Sequence, residues 1–412
     1  MEPGDDERGG QRAARVATVT QPVMAKPLIT LTAPRRRRAR WVPPLMAAAV
    51  VILVAGLWEG LVHLGLPLPA GQASLREGHG PLMVLGFLGT LIALERAVAL
   101  GEAWAYLGPA AAAAGGLAIA AGAPGGLGQA LITAAGLVLV AVFIAVHRIQ
   151  ASLHNAVLAS GAVCWVVAGV LWLAGWDVPR FIPWLVGFLV LTIAGERLEL
   201  SRLVGATRIA RRLFVCAAGI FGVGAVVSLG AESTGVRIAG VGLLGLAGWL
   251  ARNDVARRTI RTGGVTRYMA AALLTGYGWL AVAGGLWLGF GRMADGRAYD
   301  AMLHAVFLGF VISMIFAHAP VIVPAVLGRP LPFRPVLYIP LVLLHTSLVV
   351  RLVGGDAVGN RIIWQWGGSL NEVALLLFVG LAATAVVRAP PAGRSQVSAR
   401  PTTDGVPPIP PD

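Results

Sequence analysis

Apolar runs long enough to cross a lipid bilayer recur along almost the whole chain, from Trp41 to Val387. A helix of about 20 residues spans a hydrocarbon core of roughly 30 Å. Of the 412 residues, 57% are hydrophobic and only 13% are charged, and the mean hydropathy is +0.77. A soluble protein of this length would need more polar surface. We therefore predict an all-α fold, a polytopic transmembrane helical bundle with about twelve spans.

The predicted spans leave no room for a large soluble domain, and they define a transmembrane helical domain over residues 43–387. They cover residues 43–65, 79–100, 104–123, 126–147, 154–175, 181–198, 209–229, 235–251, 267–290, 301–326, 335–353 and 368–387. The basic residues 1–42 and the Pro/Ser-rich residues 388–412 have compositions that cannot bury a core. Both tails are predicted to be disordered, and no removable signal peptide is expected.

The positive charge of the chain is best explained by membrane orientation. Its formal net charge is +14, and the positive residues fall in the N-terminal tail, as at Arg35 to Arg38, and in alternate short loops. Cytoplasmic loops carry such an excess of Lys and Arg. Both termini are therefore predicted to be cytoplasmic in a bacterial inner membrane. The expected partners are membrane lipids, and no nucleic acid is expected to bind.

The two cysteines, Cys164 and Cys216, both lie inside apolar runs. This position makes a disulfide framework improbable. The chain also has no C-x-x-C-H sequence for covalent haem attachment. Any haem would have to be held non-covalently.

Histidines at membrane depth are the first candidates for a functional site, because buried polar groups are costly in lipid. The predicted topology places His63, His79 and His304 in one leaflet. On a helix, roughly one face is shared with His79 by Met83, Gly86, Thr90, Ala93 and Ala97. Most of these residues are small, and a flat macrocycle could lie against such a face, with Met83 and Gly86 as the predicted cofactor-binding residues. The alternatives are interfacial histidines bonded to water or a loop, and close helix packing through the small residues.

Two further histidines are candidates for metal ligands. His318 follows His304 by 14 residues, about 21 Å along a helix, so the pair could mark two depths of one pathway. His318 precedes Pro320 and Pro324, and it could instead cap the turn that these prolines loosen. His345 lies in mid-span, where an imidazole needs either a hydrogen-bond partner or a metal.

Other polar residues stand near the ends of predicted spans. The pairs Glu95-Arg96 and Glu196-Arg197 are interpreted as solvated helix ends, with proton entry as the alternative. Asn371-Glu372 is interpreted as a helix cap. A weak internal repeat aligns three Gly-Phe pairs, and the residue nine positions after each glycine is Glu95, Glu196 or His318. Chance is the alternative explanation of this match.

Two segments resemble motifs of the NnrS-type haem and copper membrane proteins. The segment from His79 through Met83 to Gly86-Phe87 resembles the family's H-x-H-E-M-x-x-G-F element. The segment from His304-Ala305, with Gly309 and Met314, resembles its H-A-x-x-x-G-x-x-x-x-M element. The layout is also distantly similar to the catalytic subunit of haem–copper oxidases, without the copper histidines of that enzyme.

The resemblance implies a low-spin haem b between the second and tenth spans, with His79 and His304 as axial ligands. The family's second histidine and its glutamate correspond here to Pro81 and Leu82, which leaves a copper site without those ligands. The implied role is in redox or nitric-oxide stress physiology, with a redox partner. Two axial histidines favour electron transfer or sensing over enzymatic turnover, and nitric oxide could displace a weak ligand.

Two other classes of function remain open. About twelve spans, a possible repeat, a proline-interrupted tenth span and a histidine in mid-membrane are also features of secondary transporters. A purely structural or assembly protein is the third class. The colour of the purified protein distinguishes the haem protein from the other two.

Overall fold

The computed structural model describes residues 39–389. Within this range every regular element is a helix, and no strand occurs. The all-α prediction is therefore confirmed. The predictions for the two tails concern residues that lie, apart from a few at each inner edge, outside the described range.

Eleven helices in the described residues are long and apolar enough to cross a membrane, and one shorter apolar helix accompanies them. In chain order they are α1 Val42–His63, α2 Ala73–Leu100, the shorter α3 Trp104–Ala120, α4 Leu127–Ile149, α5 Leu153–Leu173, α6 Val178–Leu200, α7 Arg208–Val227, α8 Glu232–Asn253, α9 Gly264–Phe290, α10 Gly296–Leu327, α11 Pro335–Ala357 and α12 Arg361–Arg388. Each predicted span corresponds to one of them. The chain is a multi-pass membrane protein by the length and composition of these helices.

Several helices begin earlier than hydropathy predicted, and the difference is largest for α2 and α12. Helix α2 starts at Ala73 instead of residue 79, and α12 starts at Arg361 instead of residue 368. The extra turns carry polar residues such as Arg76 and Gln365, which hydropathy assigns to loops. Gln365 donates a hydrogen bond to the Leu64 carbonyl across to the end of α1, at 2.8 Å. Such polar contacts let a helix continue beyond its apolar stretch.

Helix α6 is the central helix of the bundle. Of its most apolar 18-residue window, 83% is buried inside the protein, the largest fraction among the candidate spans. A helix that is hydrophobic on every face is typically buried on every side. It contacts α2, α5, α7, α8 and α10. Consecutive helices also pack on one another, for example α7 on α8, where Gly224 faces the backbone of Ala239.

Three helices contain a segment wound as a π-helix. These segments are Leu82–Leu88 in α2, Ala305–Ile312 in α10 and Val350–Ala357 in α11. A π-helical segment is rare, and it frequently lies at a functional site. All three segments border the same cavity, which is described next.

Candidate functional site

A cavity of about 920 Å³ lies at one end of the bundle. It is enclosed where α1 and α11 end and where α2, α6, α10 and α12 begin. Ligand-binding pockets commonly have volumes of roughly 300–1,000 Å³, so this cavity can hold a sizeable organic ligand.

The cavity wall is amphipathic. Apolar side chains come from positions further along the helices, and they include Leu57, Val84, Phe87, Leu185, Phe307, Ile312 and Leu375. Charged side chains come mainly from the helix ends, and they include Arg76, Glu77, Asp295, Arg297, Asp300, Arg351, Asp356, Arg361 and Glu372. The cavity therefore suits a ligand with a large apolar body and an ionic edge.

His304 faces this cavity from α10 and is anchored on its other side. Its Nδ1 donates to the backbone carbonyl of Asp300 at 2.7 Å and lies 3.3 Å from the Asp300 carboxylate. Because Nδ1 carries the proton, Nε2 keeps a free lone pair. A histidine that binds a metal usually shows this arrangement.

Asp300 is itself held by two neighbouring helices. Its carboxylate accepts hydrogen bonds from Nε and Nη2 of Arg351, at 2.9 and 2.7 Å. It also accepts one from Nε1 of Trp364, at 3.0 Å, and the Arg351 guanidinium lies 5.1 Å from the centre of the Trp364 ring. The Arg351 side chain is only 8% exposed. The backbone that carries His304 is thus tied to α11 and α12.

His79 faces the same cavity from α2, and its surroundings differ. Its Nδ1 is buried beside the Gly56 carbonyl, yet among the described residues it has no hydrogen-bond partner. The ring of His63 meets it edge to face, and Nε2 of His63 lies 3.9 Å from the buried carboxylate of Glu59. The two predicted ligands, His79 and His304, are therefore brought to one cavity, together with His63.

Met83 and Gly86 were predicted to contact the cofactor beside His79, and one of the two borders the cavity. Met83 lines the cavity and packs its sulfur against Gly56 of α1. Gly86 does not line it, because a Cβ there would lie 3.5 Å from Ile52 and 3.6 Å from the backbone of Gly116. Gly86 thus allows close packing of α2 with α1 and α3, the alternative interpretation of the small residues.

His345 lies away from the cavity, and both of its ring nitrogens are hydrogen-bonded. Trp279 Nε1 donates to His345 Nδ1 at 3.0 Å, so the ring proton is on Nε2, which faces Thr275 Oγ1 at 2.9 Å. The Thr275 hydroxyl donates onward to the Ala271 carbonyl. This arrangement leaves no lone pair on the ring for a metal.

His318 lies at the opposite end of the bundle, in what we call the inner charged cluster, formed by Glu95, Arg96, Glu196, Arg197, Asp254, Tyr277 and His318. Arg197 donates to Nε2 of His318, whose Nδ1 bonds the Met314 carbonyl. Arg197 also lies 3.9 Å from Asp254, which accepts a hydrogen bond from Tyr277. Both nitrogens of His318 are therefore engaged.

The inner charged cluster joins the three helices that the weak repeat relates. Arg96 of α2 is ion-paired with Glu196 of α6, and Arg197 of α6 contacts His318 of α10. Arg197 is only 4% exposed, so the expectation of a solvated helix end is wrong for this residue.

Four cavity residues were not predicted as site residues from the sequence: Asp300, Arg351, Asp356 and Glu372. Asp356 is 6% exposed, and its buried Oδ2 has no hydrogen-bond partner in the described structure. Glu372 was interpreted as part of a helix cap, but α12 begins at Arg361, so Glu372 lies three turns inside and lines the cavity. The sequence did contain a signal for such residues, because an ionisable side chain within an apolar run often marks a functional site.

The metal-binding capacity of the site is limited by its donor set. Among residues 39–389, no group of three or more His, Cys, Asp or Glu side chains is arranged to hold a metal ion. The four predicted metal-ligand histidines do not form one cluster. A haem would need fewer ligands from the protein than a free metal ion, and His79 and His304 are the residues that could supply them.

The fold and the cavity define a polytopic all-α membrane protein with a ligand-sized amphipathic cavity at one end of its bundle. The chain belongs to the family of the domain of unknown function DUF8744, whose model matches residues 41–387. No match was found among curated proteins or among solved structures.

Proposed function

We propose that the protein binds one b-type haem in this cavity, with His79 and His304 as axial ligands, in the manner of the NnrS-type proteins that its two motifs resemble. One observation carries the proposal: two histidines from helices distant in the sequence line one large cavity. His304 is also oriented through Nδ1 as a metal-binding histidine is.

The cavity wall supports the same ligand. A porphyrin has a broad apolar body, which Phe87 and Phe307 would contact, and two carboxylates at one edge. Arg76, Arg297 and Arg361 line the cavity and are solvent-exposed. Guanidinium groups bind carboxylates in a bidentate geometry, so these arginines are the expected partners of the haem propionates.

The proposed physiological role is in redox chemistry or in the response to nitric oxide, in a bacterial inner membrane, with a redox partner. Two axial histidines leave no open position on the iron, which favours electron transfer or sensing over enzymatic turnover. The proposal includes no copper, because Pro81 and Leu82 stand where the related motif has a histidine and a glutamate.

Purified protein tests the proposal. We expect a Soret band, a pyridine haemochrome of the b type and one iron per chain by metal analysis. Colourless protein that takes up no haem from added haemin would refute the proposal.

A secondary transporter is the second candidate, and one observation favours it. The cavity opens at one end of α2, α6 and α10, and the inner charged cluster lies at the other end of the same three helices. Alternating access in transporters exposes a binding site to one side of the membrane while the other side is closed by the packing of the bundles. Colourless protein whose thermal stability rises with a small molecule would support this candidate.

A further inference from the structure

We propose that the two axial histidines have different roles: His304 is the permanent ligand, and His79 is the ligand that a diatomic gas displaces. This inference rests on the proposed function and deepens it, because it assigns gas binding to one side of the haem. It follows from the unequal support that the chain gives to the two imidazoles.

His304 cannot turn away without breaking several interactions. Its Nδ1 is bonded to the Asp300 carbonyl at 2.7 Å and lies 3.3 Å from the carboxylate of the same residue. That carboxylate accepts two hydrogen bonds from Arg351 and one from Trp364. A carboxylate beside Nδ1 also makes the imidazole more basic, which strengthens the bond that Nε2 forms with a metal.

His79 has a weaker anchor. The backbone of Gly56 lies beside its ring, but its buried Nδ1 has no hydrogen-bond partner of normal geometry among residues 39–389, and no carboxylate holds it. It lies in the first turns of α2, which follow a loop and begin at an N-cap, Gln72, without a side-chain hydrogen bond. A ligand whose Nδ1 lacks such a hydrogen bond is a weaker donor and is less firmly oriented.

The surroundings of His79 can receive the displaced ring. Beside Gly60 lies the carboxylate of Glu372, since a Cβ at Gly60 would lie 2.7 Å from Oε1 of Glu372 and 3.6 Å from Cε1 of His79. The ring of His63, 5.4 Å away between centroids, and the carboxylate of Glu372 offer polar neighbours. In the exchange the gas donates its lone pair to ferrous iron as the Nε2–iron bond of His79 breaks, so no electron is gained or lost.

Carbon monoxide binding to the reduced protein tests the inference, with His79→Gly and His304→Gly as the paired variants and His147→Gly as the control. His147 is exposed and lies outside the cavity. Release of His79 should limit the wild-type rate, which should become independent of carbon monoxide at high concentration. His79→Gly should retain haem, become high-spin and bind carbon monoxide roughly ten-fold faster or more, because no internal ligand competes.

Added imidazole should restore the low-spin spectrum of His79→Gly, and His304→Gly should lose most of its haem. A second readout does not depend on folding of the His304 variant. Reduced His79→Gly should show an iron–histidine stretching band by resonance Raman, and Asp300→Asn in that background should lower its frequency.

The failures of the two proposals are distinguishable. Wild-type protein without haem would refute the proposed function and this inference together. Two other outcomes would refute this inference alone, given low-spin haem in the wild type. One is equal haem loss in the two glycine variants, and the other is an iron–histidine stretching frequency that Asp300→Asn does not change.

Discussion

The rings of His63 and His79 meet edge to face, with 5.4 Å between their centroids and 88° between their planes. From the sequence, His63 is an interfacial residue that shares a leaflet with His79 but lies outside the family motif. The structure places it in the cavity wall. It is therefore a neighbour of the candidate ligand, and it is unsuitable as a neutral control for ligand variants.

We predict that His63→Leu retains a low-spin haem but shifts its absorption maxima and the g-values of its ferric electron paramagnetic resonance spectrum. Loss of the edge contact changes the orientation of the His79 ring, and ring orientation influences the electronic state of the iron. His147→Leu is the matched control. Spectra of His63→Leu identical to those of the control would show that His63 does not orient His79.

His345 should prove to be a structural residue. His345→Gln removes at least one of the bonds with Trp279 and Thr275, so we expect a loss of roughly 1–2 kcal/mol in the free energy of unfolding. Haem and metal content should stay within error of the wild type. Loss of metal from a variant that remains folded would instead assign His345 as a ligand.

The inner charged cluster should contribute strongly to stability. Arg197→Ala leaves the buried carboxylate of Asp254 without its cation, and breaking a buried ion pair typically costs roughly 3–5 kcal/mol. Unfolding in mixed micelles, titrated with a denaturing detergent, measures this loss. Arg257→Ala, at an exposed position, is the control and should change stability by at most about 0.5 kcal/mol. An equal effect of both variants would mean that Arg197 is not part of a stabilising network.

The orientation of the bundle remains a prediction from the charge distribution of its loops. Cysteines placed at Asp177, Glu232 and Asp295 should react with an impermeant reagent in intact cells, whereas cysteines at Arg202, Arg257 and Arg329 should not. The background must lack Cys216, which is exposed, and preferably also the buried Cys164. Glu232 is paired with Arg292, close to Asp295 in the sequence, so these positions should behave alike. Equal labelling at 257 and 295 would contradict the orientation.

The helical fold could be predicted because each apolar run independently specifies a span. Helix starts were less accurate, since polar first turns such as that of Arg361 resemble loops in hydropathy. The predicted topology placed His79 and His304 in one leaflet, and the resemblance then singled them out as partners. Asp300 and Arg351 could not be predicted as site residues, because their roles depend on a contact between helices distant in the sequence. Gly86 was predicted as a cofactor contact but packs between helices, because a small residue is equally typical of a cofactor wall and of a close helix contact.

The most direct test of the account is the optical spectrum of reduced, purified protein for the wild type, His79→Leu and His304→Leu, with His147→Leu as the control. The account predicts a low-spin b-type spectrum for the wild type and the control. It predicts a high-spin spectrum for His79→Leu and loss of most haem from His304→Leu, with all four proteins inserted in the same topology. A full wild-type low-spin spectrum in both ligand variants would contradict the assignment of His79 and His304 and would favour the transporter.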